Sequence, residues 1–237
     1  MGERDGSMDG EWLERYSRPI LLGEVGGRGQ RRLNQATVGI VGAGMMGTPL
    51  TLYLAGAGLG HLVVMDTVRS VALCAAVHLL NPLVRTTALA SPVDLPGLAG
   101  QMATWQLAVL AEDEPASRAL CNLAALQTGQ ILLGGWRLAD RYVIARVGRD
   151  PQAPCLACVV AAGGTVAAAR HADPLLTDLG AGVVGSILAM ETIRSLLDNT
   201  RNVWYSALSF CPGEGIYETM SVRKDPHCAV CQVTVRD

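Results

Sequence analysis

Residues 37–58 read TVGIVGAGMMGTPLTLYLAGAG. A β-branched run, Thr37 to Val41, leads into Gly42-Ala43-Gly44-Met45-Met46-Gly47, and Thr48 to Ala57 then has the composition of a helix. G-x-G-x-x-G is a weak signal alone, but strand, glycine turn and helix in this order give it meaning. The missing side chains permit a tight turn and let a phosphate approach the backbone, while the opening helix supplies N–H donors and partial positive charge. A second apolar run, His61 to Met65, ends at Asp66, where an acid would hydrogen-bond a ribose. Gly42, Gly44, Gly47 and Asp66 are the candidate nucleotide-binding residues; the competing view is a structural turn with a capping aspartate.

Working outward, Trp12 to Leu33 has roughly helical spacing broken by Pro19 and by glycines at 23, 26, 27 and 29, which predicts a short helix, a turn and a second helix. Downstream the spacing predicts a helix over 69–80 that stops at Asn81-Pro82, and a strand over 85–90. A helix over 95–102, a strand over 106–110, a helix over 113–127 and a strand over 130–134 follow. This alternation implies parallel βαβ units with right-handed crossovers. Residues 141–147 alternate like a strand with one exposed face, 150–154 read as a turn, and 159–178 form a small-residue segment of no definite type. A helix over 185–197 and two late strands within 203–222 complete the chain. The fold class is therefore α/β: a Rossmann-like, mostly parallel sheet with flanking helices and late antiparallel strands.

With 237 residues, one domain over 12–237 is expected after a disordered extension over 1–11. A formal net charge of −2 gives no general attraction to nucleic acid or anionic membranes, and neither is an expected partner. Charged residues interrupt every apolar run before the ~18 residues that span a bilayer. The N-terminus lacks the apolar region of a secretory signal, so the expected location is cytoplasmic. Seven cysteines include the pairs Cys155/Cys158 and Cys228/Cys231, a pattern of metal or redox chemistry rather than of a disulfide framework. Each pair offers two thiolates as half of a tetrahedral Zn²⁺ site. The alternatives are a redox pair or separate thiols, and neither pair is expected to open a helix as a thioredoxin-like motif does. Cys74, Cys121 and Cys211 read as small buried hydrophobes.

Several further residues, taken in order, resemble the ThiF/MoeB/HesA family of E1-like adenylating proteins. They are Arg15-Tyr16-Ser17-Arg18 with Gly29-Gln30, the segment 38–66, and Asn81-Pro82. Asp113 with Arg118 and Asn122, Pro154-Cys155-x-x-Cys158, Gly185-Ser186 with Met190-Glu191, and Asp225-Pro226-x-Cys228-x-x-Cys231 continue the series. The resemblance spans roughly 12–231. It implies that ATP and Mg²⁺ activate the C-terminal carboxylate of a small ubiquitin-like protein or peptide, or a metabolite, as an acyl-adenylate. Carboxylate and triphosphate repel, so such chemistry rests on cations that neutralise charge and hold an in-line geometry. Asp66 would take the ribose and Asp113 the magnesium. Arg18 would reach the phosphates from the partner subunit of a homodimer, and the four cysteines would close one structural zinc site. A solvated helix charge for Arg18 and a helix N-cap for Asp113 are the plainer roles.

Two departures stand against this pattern. The family's long segment after the ribose-binding acid carries an Asn and an Arg; here only Thr67 and Val68 separate Asp66 from Arg69, which falls on a family lysine position. Arginine keeps the charge but changes its reach. Where several relatives carry a cysteine, His171 stands here. Three functions compete: an E1-like adenylyltransferase, a catalytically silent relative that binds a peptide or partner, and a nicotinamide oxidoreductase. The cysteine arrangement and the Arg15 to Arg18 signature disfavour the third.

Overall fold

The apolar runs read as strands all enter one sheet. The computed structural model describes residues 10–92, 94–148, 152–163, 173–197 and 206–233. Its strands are β1 (Thr37–Val41), β2 (His61–Met65), β3 (Arg85–Leu89), β4 (Leu107–Ala111), β5 (Leu132–Leu138), β6 (Arg141–Val147), β7 (Ser206–Cys211) and β8 (Ile216–Ser221). They lie in the order β3-β2-β1-β4-β5-β6-β7-β8. Pairing is parallel from β3 to β5 and antiparallel from β5 to β8. Strand order reverses between β1 and β4, which opens a crevice at their carboxyl ends, the place where open α/β sheets bind ligands.

The helices are α1 (Gly10–Ile20), α2 (Gly26–Gln35), α3 (Gly47–Gly56), α4 (Ser70–Leu80), α5 (Leu95–Met102), α6 (Pro115–Thr128), α7 (Leu156–Gly163), α8 (Pro174–Leu197) and α9 (Ala229–Val233). Successive strand residues point to opposite faces, so β4 sends Leu107 and Val109 one way and Ala108 and Leu110 the other. The first face packs on Leu33 of α2, Leu50 and Leu54 of α3, and Val184 and Leu188 of α8. The second packs on Leu98 of α5, Cys121 of α6 and Leu156 of α7, with Trp105 and Trp136 filling the interior. A sheet covered on both sides explains the near-continuous apolar strands.

Several expectations need correction. Gly26, Gly27 and Gly29 open α2 rather than break it, and α1 starts at Gly10, so residues 10 and 11 are helical. Residues 1–9 lie outside the described residues. β6 is buried on both faces, because helices cover each side of the sheet between β5 and β7; even Arg141 and Arg146 are only 7% and 6% exposed. Within the stretch over 159–178, residues 159–163 lie in α7 and residues 174–178 in α8. His171 lies outside the described residues. α8 is also longer and more apolar than expected: by length and composition alone its 24 residues suffice to cross a membrane. Here its apolar side packs against α2, α3 and β4–β6, so the core accounts for that composition. Both cysteine pairs do open helices: α7 begins one residue after Cys155 and α9 one residue after Cys228.

Candidate nucleotide site and metal centre

Gly42 ends β1 with φ +99°, a backbone conformation that disfavours any side chain, and a Cβ there would lie 2.7 Å from the Ala111 carbonyl oxygen. Gly47 packs so closely on the Gly42 carbonyl that a Cβ would collide with it. These two glycines build the turn. Gly44 differs, because a Cβ there would meet nothing within 4 Å. It faces open space, the room a phosphate needs. The N-cap residue of α3, Met46, makes no side-chain capping bond; in the first turn Thr48 N–H donates to Gly44 O at 2.9 Å, Leu50 N–H donates to Met46 O at 3.3 Å and Pro49 has no N–H, so the turn at 44–47 is where amides can face a ligand. A helix N-terminus beside an open glycine suits an anionic ligand.

Asp66, at the carboxyl end of β2, is already bound by its own backbone. Oδ2 accepts from the Ala43 N–H at 3.1 Å, and Oδ1 accepts from Val68 N–H at 2.9 Å and Arg69 N–H at 2.7 Å. Partial burial opposes its charge, but the bonds from Arg69, Ala43 and Val68 and the Arg69 guanidinium outweigh that cost and hold the carboxyl below its ordinary range. The aspartate thus closes the shortened connection to α4 and ties it to the glycine turn. A carboxylate has about four acceptor positions, so three N–H bonds leave room for one ribose hydroxyl. Arg69 is the N-cap residue of α4 and is exposed beside Asp66.

Asp113 sits just beyond β4 and is exposed. It is not the helix cap: Glu114 caps α6, its side chain accepting from Ala116 N–H at 3.4 Å. Asp113 Oδ1 instead accepts from the Arg137 backbone N–H at 2.6 Å, and Oδ2 lies 3.9 Å from Arg137 Nε. Arg137 also pairs with Asp178 of α8 at 3.5 Å. Tyr142 lies buried beneath this rim, its phenol pushed up to about 12 by burial and by Asp113. Arg118 stacks over the Trp136 ring at 5.5 Å. Glu112 lies against Gly42, and its Oε1 is buried without a hydrogen-bond partner among the described residues. Burial first, then Asp66, Glu114 and Asp113, push its pKa up against the lowering effect of a Ser117 hydrogen bond.

The sequence reading missed Glu112, Arg137 and Asp178. Glu112 was legible as an acid directly after a strand that borders the crevice; Arg137 and Asp178 gave no local signal. Arg18 stands apart from the cluster. Tyr16 of α1 accepts from Asn81 Nδ2 at 2.8 Å, and Asn81 also donates to Ala55 O at 2.7 Å. These contacts pin α1 to the C-terminal end of α3, about 15 Å from the glycine turn at ~1.5 Å of rise per residue.

The four paired cysteines converge at the start of α7 and α9. Sγ separations are 3.9 Å for Cys155–Cys158, 3.9 Å for Cys155–Cys228 and 3.6 Å for Cys158–Cys231. All four sulfurs are buried and lie within 4.8 Å of one another. A tetrahedron with metal–sulfur bonds of ~2.3 Å has edges of about 3.8 Å, whereas a disulfide would need about 2.05 Å. The four-sulfur spacing fits a tetrahedral metal ion, and none of these cysteines is joined in a disulfide. Cys74, Cys121 and Cys211 are buried and separate from it, and burial pushes the Cys121 thiol up to about 12.

Comparison with known proteins agrees with this geometry. The ThiF family model matches residues 16–69, which contain the glycine turn and Asp66. The SAMP-activating enzyme E1 of Haloferax volcanii is 30% identical over 95% of this chain and 91% of its own length. The chain belongs to the ThiF family of E1-like adenylating proteins. The sulfur carrier protein adenylyltransferase of Thermus thermophilus is likewise 30% identical, over 93% of this chain and 91% of its own. Among solved structures, Escherichia coli MccB with AMPCPP and MccA superposes with a TM-score of 0.72 at 16% identity, covering 96% of this chain and 76% of that one. That likeness concerns the fold. Membership in the ThiF family carries ATP-dependent E1-like adenylation as the general activity, and the shortened Asp66–Arg69 connection is where this member is unusual.

Proposed function

We propose that this chain is an adenylyltransferase that activates the terminal carboxylate of a small ubiquitin-like protein or peptide, or a metabolite carboxylate, with Mg²⁺ and ATP. The observation that carries this reading is the open backbone cradle at Gly44, bordered by Asp66 and Asp113 at the β1/β4 crevice of a ThiF-family fold. The names of the relatives agree: one activates SAMP, one adenylates a sulfur carrier protein, and MccB has been solved with both ATP and MccA. In the reaction, a carboxylate oxygen bonds to the α-phosphorus as the bond to the departing pyrophosphate breaks. The turn residues would hold the phosphates by their amides, and the remaining acceptor of Asp66 would take a ribose hydroxyl. Asp113 would supply oxygen to the magnesium, which neutralises phosphate charge when bound. Arg69 would stand in for the family lysine.

Arg18 serves the neighbouring subunit of a homodimer in this reading, because α1 lies too far from its own turn. Exposed apolar side chains on α3, α4 and α8, among them Tyr53, Leu79, Leu175 and Met190, support self-association. We assign zinc to the cysteine cluster, read residues 12–237 as one adenylation domain, and place the chain in the cytoplasm with its thiols reduced. Titration calorimetry with Mg²⁺ and ATP tests the central point. Micromolar binding that Gly44→Val abolishes is the expected result, and no binding by folded protein would reject it. A partner-binding relative without chemistry is the second reading, favoured by the two-residue Asp66–Arg69 connection and by an Asp66 carboxylate already occupied by backbone.

A further inference from the structure

We infer that Arg137 anchors the acyl substrate: its guanidinium pairs with the carboxylate that is to be adenylated and presents it from the β5 side of the crevice. The inference deepens the adenylation reading and rests on it. The candidate groups stand in strand order along the carboxyl edge of the sheet. Asp66 follows β2, the glycine turn follows β1, Asp113 lies just beyond β4, and Arg137 lies near the end of β5. Neighbouring strands are ~4.8 Å apart, so about 14 Å of crevice separates the ribose acid from Arg137. Arg69, assigned to the phosphates, starts from the β2 side at the head of α4. In-line displacement at the α-phosphorus places the attacking oxygen opposite the departing pyrophosphate. With the pyrophosphate drawn toward Arg69, the carboxylate enters from β4 and β5.

Arg137 is placed for that entry. Gly135 packs on Val184 and Leu188 of α8, and Arg137, next on the same face of the strand, reaches Asp178 of α8. The glycine turn lies on this face too, because Gly185 of α8 packs against the Met46 carbonyl. Arg118, by contrast, stacks on Trp136 on the opposite face. The Arg137 side chain is 44% exposed, and its contacts with acids, 3.9 Å to Asp113 and 3.5 Å to Asp178, exceed the ~2.8 Å of a charge-assisted hydrogen bond. No guanidinium N–H of Arg137 makes a hydrogen bond among the described residues. Two acids thus aim the fork while its donors stay open to a carboxylate. Magnesium held by Asp113 withdraws one of those acids and strengthens the pull of Arg137 on an anion. The fork holds one carboxylate oxygen while the other bonds to the α-phosphorus and the bond to pyrophosphate breaks; no proton moves. The acyl-adenylate has lost the carboxylate charge, so Arg137 releases the acyl group on transfer.

N-Acetylglycine and its amide are the probes, in the presence of Mg²⁺ and AMPCPP, whose α,β-methylene bridge prevents transfer. Saturation-transfer NMR should show the acid bound about tenfold or more tightly than the amide, the usual effect of one charge-assisted pair. Arg137→Gln should abolish that preference, and Arg137→Lys should restore part of it. Calorimetric affinity for Mg²⁺ and AMPCPP should be unchanged in both variants, each checked for folding by circular dichroism. An acid preference that survives Arg137→Gln, or no such preference in the unaltered chain, overturns the anchor while leaving adenylation intact. So does loss of AMPCPP binding in a folded Arg137→Gln chain, which would make Arg137 a nucleotide ligand instead. Failure of the unaltered chain to bind AMPCPP overturns both.

Discussion

Glu112 illustrates how a single carboxyl reports on the crevice. Its folded pKa is raised, so the folded state resists its ionisation. The stability it contributes is present below its unfolded value near 4.5 and is lost as pH rises through the folded value. Glu112→Gln should therefore raise stability at pH 7 by about 0.5 kcal/mol once screening by water is allowed for, read as a higher Tm, with the gain vanishing below about pH 4. Thermal melts across pH decide it, and a loss of stability at pH 7 would reject it. Asp66 has the opposite sign. Its lowered pKa contributes stability above the unfolded value near 3.8, lost as pH falls through the lower folded value. Because three backbone bonds depend on Asp66, its removal would weaken folding as well as ligand binding, and glycine variants separate the two effects better. Gly42→Ala should cost about 2 kcal/mol or more, through its positive φ and the Ala111 carbonyl. Gly44→Ala should change stability by about 0.5 kcal/mol or less while weakening Mg²⁺–ATP binding. Urea unfolding beside calorimetry distinguishes these outcomes.

At the level of elements, α7 and α9 are short, and their common anchor is the cysteine cluster. A helix of five or eight residues does not hold its shape by itself. Metal analysis should find about one zinc per chain, since one site with four thiolates holds one ion. Cys155→Ser or strong chelation should remove the zinc and lower stability by several kcal/mol. The same treatment should leave the distant glycine turn folded, because α3 packs on the other face of the sheet. Metal-free protein with unchanged Tm would show that the cluster serves another purpose. The glycine turn was readable from local order alone, strand then turn then helix. The small-residue segment over 159–178 was not, because α7 and α8 draw their stability from tertiary packing on the sheet rather than from an amphipathic stripe of their own.

For the whole molecule, the distance between Arg18 and the crevice of its own chain carries the most consequence. If Arg18 acts across a dimer, an Arg18→Ala chain and a Gly44→Val chain damage different halves of a shared site. Mixed in equal amounts and allowed to exchange, they should recover about a quarter of the Mg²⁺–ATP binding capacity, since half the dimers are mixed and each carries one intact site. Calorimetric stoichiometry measures this. No recovery after demonstrated exchange would place Arg18 outside the nucleotide site.

The order of residues along this chain determined the α/β class, the glycine turn with Asp66, the two cysteine pairs and the family resemblance. Each is a local pattern or a series of local patterns, which short-range backbone geometry imposes. What only tertiary structure decided is which distant groups meet. The chain's return to α9 brings four sulfurs to tetrahedral spacing. β5 and α8 deliver Arg137 and Asp178 to Asp113, and Asp66 closes on its own backbone. Packing on both faces of a twisted sheet sets those distances, and no window of sequence contains both partners of such a contact.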